Sequence, residues 1–204
     1  MVFEANNSKA VDYLEKKYNE KFVGIKWYDG DVYECYPASN EDWIVKVYFL
    51  EEDGKKILKD DYYRWLKRDE YNRLVNNIIK QWFSTEEIKV FSSFGYSWFQ
   101  DEYMASTPLT VAMAKTPRNF SSVIWIFIAE DDRLDTMSFE TKCNSLAQSF
   151  READFHTTLK VFAVKSDVLE NIVEDNYPRY FLDNGKSRDN GYLFDTSIGV
   201  YANY

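Results

Sequence analysis

The stretch SSVIWIFIAEDD, Ser121 to Asp132, holds six consecutive large or branched apolar residues and then ends in acids. A run this short, rich in β-branched and aromatic side chains, reads as a buried strand. The acids after it mark either the point where that strand meets water or a place where oxygen ligands collect. Downstream, residues 138–151 place Phe139, Cys143, Leu146 and Phe150 at helical spacing. Residues 158–164 then read as a strand, 167–177 as a helix and 192–201 as a terminal strand pair. The order is β-α-β-α-β. The segment GKSRDNG, 185–191, reads as an exposed turn leading into the last strands.

Upstream, EEIKVFSSFGYSWF (86–99) reads as another strand, followed by the polar, Pro-broken stretch STPLTVAMAKTPRNF (106–120). Near the N-terminus, an Asn7/Ser8 cap leads into KAVDYLEKKYNEKF, where Val11, Leu14 and Tyr18 follow helical spacing. VGIKWYDGDVYECY (23–36) and DWIVKVYFLEEDGKK (42–56) read as an antiparallel meander. Asp29-Gly30 makes the first turn, and Trp43, Val45, Val47 and Phe49 share one face. DEYNRLVNNIIKQWF (69–83) carries the strongest helical stripe: Tyr71, Leu74, Val75, Ile78, Ile79, Trp82 and Phe83. These elements predict an α+β chain, a two-layer sandwich with a mostly antiparallel sheet and helices packed on one face. They are read as one domain, 1–204, with lobes 1–85 (helix, strands, helix) and 86–204 (alternating strands and helices).

A formal charge of -9 and the absence of a basic cluster argue against a nucleic-acid partner, whose binding relies on clustered Lys and Arg. The same charge suits a basic partner and also solubility. No apolar run reaches the roughly 18 residues of a membrane span. MVFEANNSKA lacks the pattern of a signal peptide, so the chain is expected in the cytoplasm as written, or exported if a leader has been removed. Cys35 and Cys143, 108 positions apart, form no metal-spaced pair and read as buried free thiols.

The acids Asp131, Asp132 and Asp135 could supply oxygen ligands to Mg²⁺ or Ca²⁺. EDDRLDTMSFET, however, has no Gly for a calcium loop, and Arg133 sits among the carboxylates. The segment reads better as a solvated strand-to-helix turn capped by Ser138 or Thr136. His156 is the single histidine, so imidazole-rich zinc sites are excluded, and Cys143 reads as packed on its helix rather than paired with His156 as a nucleophile. FGYSWF around Ser97 lacks the second Gly of a G-x-S-x-G elbow, and no phosphate-cradling glycine motif occurs. The acid pairs Asp29/Asp31 and Asp60/Asp61, and the run Glu51 to Asp53, read as solvated. No catalytic residue and no cofactor are expected.

Sixteen Tyr and six Trp form the more informative excess, since each polar ring tip needs a partner or water. In DDYYRWLKRDEYN, Tyr62, Tyr63, Trp65 and Tyr71 cannot all face one core, which makes Tyr62, Tyr63 and Trp65, with Trp98, candidates for an interface.

AVDYLEKKYNEKF at 10–22 and DDYYRWL at 60–66, with strands between, give residues 10–85 a resemblance to uncharacterised exported, often lipid-anchored α+β proteins of Gram-positive bacteria. The resemblance implies a surface location and no particular activity. The first expectation is a non-enzymatic protein-binding protein, in its concrete form an immunity protein that masks a basic toxin domain. The alternatives are a cell-surface accessory or solute-binding protein, and a metal-assisted hydrolase using the 130–135 acids.

Overall fold

Helix α1 (Val2–Tyr18) presents Ala10 and Leu14, four residues apart on one face, as fully buried side chains. The computed structural model describes residues 2–83, 87–96, 103–130, 133–174, 177 and 191–201, with the backbone alone at 2–7 and 29. The cap expected at Asn7/Ser8 does not start α1, which continues back to Val2. Asn and Ser cost a helix interior less than about 0.7 kcal/mol each, too little to stop it.

Strands β1 (Phe22–Asp29), β2 (Val32–Pro37), β3 (Val45–Glu52) and β4 (Lys55–Asp60) form the expected antiparallel meander in chain order. Asp53 and Gly54, at φ 51° and 72°, close the last hairpin; two successive positive angles match the twist of a two-residue turn. Val45 and Val47 are fully buried with Cys35 and Leu14, beside the buried Phe22, while Trp43 and Phe49 pack half-buried on the same cluster. Each such Val or Leu stabilises the fold by roughly 1.5–3 kcal/mol.

Helix α2 (Tyr62–Ile79) begins seven residues before the expected start at 69. Asp60 and Asp61 explain this: Asp60 Oδ1 accepts the Tyr62 amide at 2.9 Å, satisfying a donor that a helix start leaves open. At the other end Trp82 and Phe83 lie beyond the helix, and the Trp82 indole donates to the Ser149 hydroxyl at 3.1 Å.

The remaining elements are β5 (Ile88–Tyr96), α3 (Leu109–Lys115), a 3₁₀ turn at Pro117–Asn119, β6 (Phe120–Ala129), α4 (Thr136–Glu152), β7 (Thr157–Val164), α5 (Ser166–Asn171) and β8 (Tyr192–Val200). The stretch 106–120, read as broken by its prolines, therefore holds a short helix between them. The helix expected over 167–177 ends at Asn171, and the expected terminal strand pair is one strand, β8, antiparallel to β7. Of the segment 185–191, all but Gly191 lies outside the described residues.

The chain is α+β, and the described strands form two four-stranded sheets, β1-β2-β3-β4 and β5-β6-β7-β8. It divides into two compact units: residues 1–68 with 96–112, and 69–95 with 113–204. The units part inside α2, between Arg68 and Asp69, rather than at residue 85.

In the second unit β6 and β7 are parallel, joined through α4. Phe139, Cys143, Leu146 and Phe150 of α4 are buried, as their spacing predicts. Helices cover this sheet on both faces. Tyr71 of α2 stacks on Phe94 at 4.3 Å and bonds Ser122, and Phe139 of α4 meets Phe194 of β8. On the opposite face Phe127 and Phe162 pack with Val168 and Leu169 of α5, with Trp125 beside them. Cover on both sides is why β6 reads as an unbroken apolar run and not as an alternation.

Candidate functional site

Tyr62 and Tyr63 are not available as interface anchors: both are buried, and both hydroxyls have partners inside the first unit. Tyr62 donates to Glu20 at 2.7 Å and meets the rings of Tyr18 and Phe22 edge-on. Burial, with the Glu20 carboxylate, holds its phenol well above the usual range. Tyr63 donates to the Thr107 carbonyl at 2.9 Å and packs on Tyr96 and Tyr103. Trp65 is half-buried, stacked on Trp43, with its indole N–H on the Ile44 carbonyl. Trp98 and Ser97 lie outside the described residues.

The acidic turn after β6 is described only in part, since Asp131 and Asp132 lie outside the described residues. Asp135, not Ser138 or Thr136, takes the N-cap position of α4, and the Ser138 hydroxyl donates to it at 2.5 Å. Hydrogen bonds from Ser138 and Met137 hold this exposed carboxyl below its ordinary pKa. Arg133 and Lys142 line a cleft of about 220 Å³ together with Glu130 and Asp135, so cations and carboxylates are mixed there. Among the described residues, no three His, Cys, Asp or Glu side chains come together as a metal would require.

Cys35 and Cys143 are free and buried, and burial pushes each thiol up to about 12. A thiol in that state supplies almost no thiolate near neutral pH. The ring of His156 packs instead against Tyr201, centroids 5.3 Å apart.

Asp60 and Asp61 are buried, contrary to the solvated reading. Asp60 collects the Lys17 ammonium (2.7 Å), the Tyr13 and Tyr18 hydroxyls (2.9 and 2.8 Å) and the Tyr62 amide. Asp61 accepts the Lys46 amide at 2.7 Å and lies 3.2 Å from Arg64 Nε, close enough for attraction but without the alignment of a hydrogen bond. Burial outweighs the lowering by Arg64 and the Lys46 amide and raises Asp61 to about 6. Both carboxylates face protein groups and tie α1, β3, β4 and α2 together, which makes them structural.

What the first unit does leave accessible is a cleft of about 520 Å³ between Lys9 of α1 and the β3–β4 hairpin. Its floor is apolar: Trp27 and Phe49, rings 5.1 Å apart, with Leu58. Its rim alternates in sign, with Lys9 and Lys56 against Asp31 and Glu51. An apolar floor inside a charged rim repeats the anatomy of a protein interface at the scale of one anchor side chain. The sequence signal was present in the alternation of β3, which places Phe49 with the core residues. Nothing in it indicated that α1 leaves Phe49 half covered.

The chain is thus an α+β protein with an apolar cleft in a charged rim on its first unit. No protein-family profile and no curated protein matches it. It is similar to the crystal structure of a DUF5037 family protein from Ruminococcus gnavus, at 13% identity and a TM-score of 0.42, over 97% of this chain and 92% of that one.

Proposed function

We propose that this chain is a non-enzymatic protein-binding protein whose first-unit cleft receives an apolar side chain of its partner, and that its concrete role is immunity to a basic toxin domain. The observation that carries the reading is the Trp27–Phe49 floor inside the Lys9, Asp31, Glu51 and Lys56 rim. A buried aromatic pocket supplies affinity and the rim sets register. The overall charge of -9 favours encounter with a cationic partner and raises its rate of association. No helix among the described residues is long and apolar enough to cross a membrane.

The test is co-expression with the product of the neighbouring gene in the native host, reading growth and complex formation by gel filtration. Protection and a stable complex are expected, and Phe49→Ala, which removes a ring from the cleft floor, should weaken the complex tenfold or more, about 1.4 kcal/mol, with unchanged circular dichroism. A neighbouring product that is toxic, forms no complex with the chain and is not neutralised by it would sink the immunity reading.

A further inference from the structure

We propose that the second unit carries a binding site for a neutral polyhydroxylated small molecule, one or two sugar rings in size, in the cleft where Ser93, Ser121, Thr158, His156 and Tyr201 meet. This goes beyond the protein-binding reading and uses the other unit.

The cleft follows from a change in side-chain size along one face of the second sheet. Side chains alternate between faces, so Phe91 and Ser93 of β5, Ser121 and Trp125 of β6, and Thr158 and Phe162 of β7 share the face that α5 partly covers. One end of that face is built from large rings: Trp125 stacks on Phe162 at 5.6 Å, and Phe91 stacks on Tyr177 at 4.5 Å. Further along the strands the rings give way to Ser93, two residues on from Phe91, and to Ser121 and Thr158, four residues from Trp125 and Phe162, and the floor drops to a cleft of about 330 Å³. Gly95 lies so close to the next strand that a Cβ there would sit 3.0 Å from the Ser121 carbonyl oxygen. Tyr201, 63% exposed, stands at the far wall with the His156 ring against it.

The chemistry of the lining selects the ligand. In a chain with 29% Asp, Glu, Lys and Arg, none of these lines the cleft among the described residues. Lys160, on the same face, sits over the Trp125 ring at 4.3 Å, at the aromatic end. Among the described residues an anion would meet no lining cation, and would approach a chain of net charge -9, and a cation would find no carboxylate. What the cleft offers is hydroxyls that both donate and accept, from Ser93, Ser121, Thr158 and Tyr201. His156 lies beside them, its Nδ1 buried away from the open cleft. Alcohol groups match this set because they also donate and accept. The Tyr201 and His156 rings add apolar faces against which the C–H side of a sugar ring packs. The neighbouring hydroxyls of Ser122 and Thr157 behave differently: Tyr71 donates to Ser122, Ser122 to Thr157, and Thr157 to the Ser122 carbonyl, a chain that uses all three protons within the fold. The volume falls at the small end of the roughly 300–1,000 Å³ range of small-molecule clefts.

Saturation-transfer NMR on the full chain with glucose, galactose, N-acetylglucosamine and maltose, each at about 10 mM, reaches ten times a Kd of about 1 mM. Transfer from at least one sugar is expected. Ser93→Leu, which fills the cleft, and Tyr201→Ala, which removes its wall, should each weaken that sugar at least tenfold. Both positions are exposed, so their melting temperatures should stay close to that of the parent. No transfer from any of the four sugars, transfer untouched by either substitution, or displacement of the sugar by sodium sulfate would each overturn the proposal. Should Ser93→Leu fail to fold, Tyr201→Ala decides alone.

Discussion

Lys17→Met isolates the buried charge that anchors α1 to the end of β4. Asp60 is shielded from water, its side chain 0% exposed, and Lys17 is 10% exposed with Nζ 2.7 Å from Oδ2. Removing the ammonium leaves an ionised carboxylate with three neutral donors: the hydroxyls of Tyr13 and Tyr18 and the amide of Tyr62. Breaking one side of a buried pair costs about 3–5 kcal/mol, and the surviving donors place this case near about 3. For a chain of this size that corresponds to a fall of about 6–12 °C in Tm. Asp60→Asn should cost a similar amount, because it leaves the ammonium with the Tyr13 hydroxyl but without its countercharge. The double variant should cost clearly less than the sum of the two, since it leaves no unpaired charge. The assay is urea unfolding followed by far-ultraviolet circular dichroism and by tryptophan fluorescence. If Lys17→Met costs less than about 1 kcal/mol, the pair is worth no more than an exposed one and the structural role given to Asp60 fails.

Asp61, held near 6 against an ordinary 3.8, binds its proton more tightly in the native state, so its contribution to stability is greatest below about 4 and is lost as pH rises through 6. It should make the protein about 1 kcal/mol more stable at pH 5 than at pH 7, a slope that urea melts of Asp61→Asn should lack. Native Cys35 and Cys143 should not react with a thiol reagent at pH 8 on the time scale in which both react after denaturation; prompt native labelling would contradict their burial. Ile79→Asp should abolish the cooperative melt by placing an unpaired charge at a fully buried site, whereas Ile78→Asp, at a half-buried position, should leave a folded protein with lowered Tm.

Where a pattern has a strict period, the sequence announces the structure. The stripe Phe139, Cys143, Leu146, Phe150 became the buried face of α4, and the alternation of β3 became the inner face of the first sheet. The unbroken run of β6 became a strand covered twice. Charges misled because their burial depends on partners distant in sequence. Asp60 meets Lys17 across 43 positions, a pairing that no local spacing announces. The start of α2 was missed for the same reason, since the acids that open it had been read as solvated. The cleft of the second unit rests on Ser, Thr and Gly, which carry no periodic signal. It becomes visible only when four strands lie side by side.

The aromatic excess shows how this changes a functional argument. In sequence, Tyr62, Tyr63 and Tyr71 look like too many rings for one core. A helix turns successive residues by about a third of a revolution or less, so the three point in different directions and meet different neighbours. Tyr62 reaches Glu20, Tyr63 the Thr107 carbonyl and Tyr71 Ser122, each hydroxyl finding a polar partner inside the fold. A count of tyrosines therefore says little about a binding surface. A ring can contribute to recognition where the fold leaves it open, as one cleft leaves Trp27 and Phe49 partly open and the other leaves Tyr201 open. None of the three stood out in the aromatic-rich segment, which is why substitutions at the clefts, rather than at Tyr62 or Tyr63, separate a loss of binding from a loss of fold.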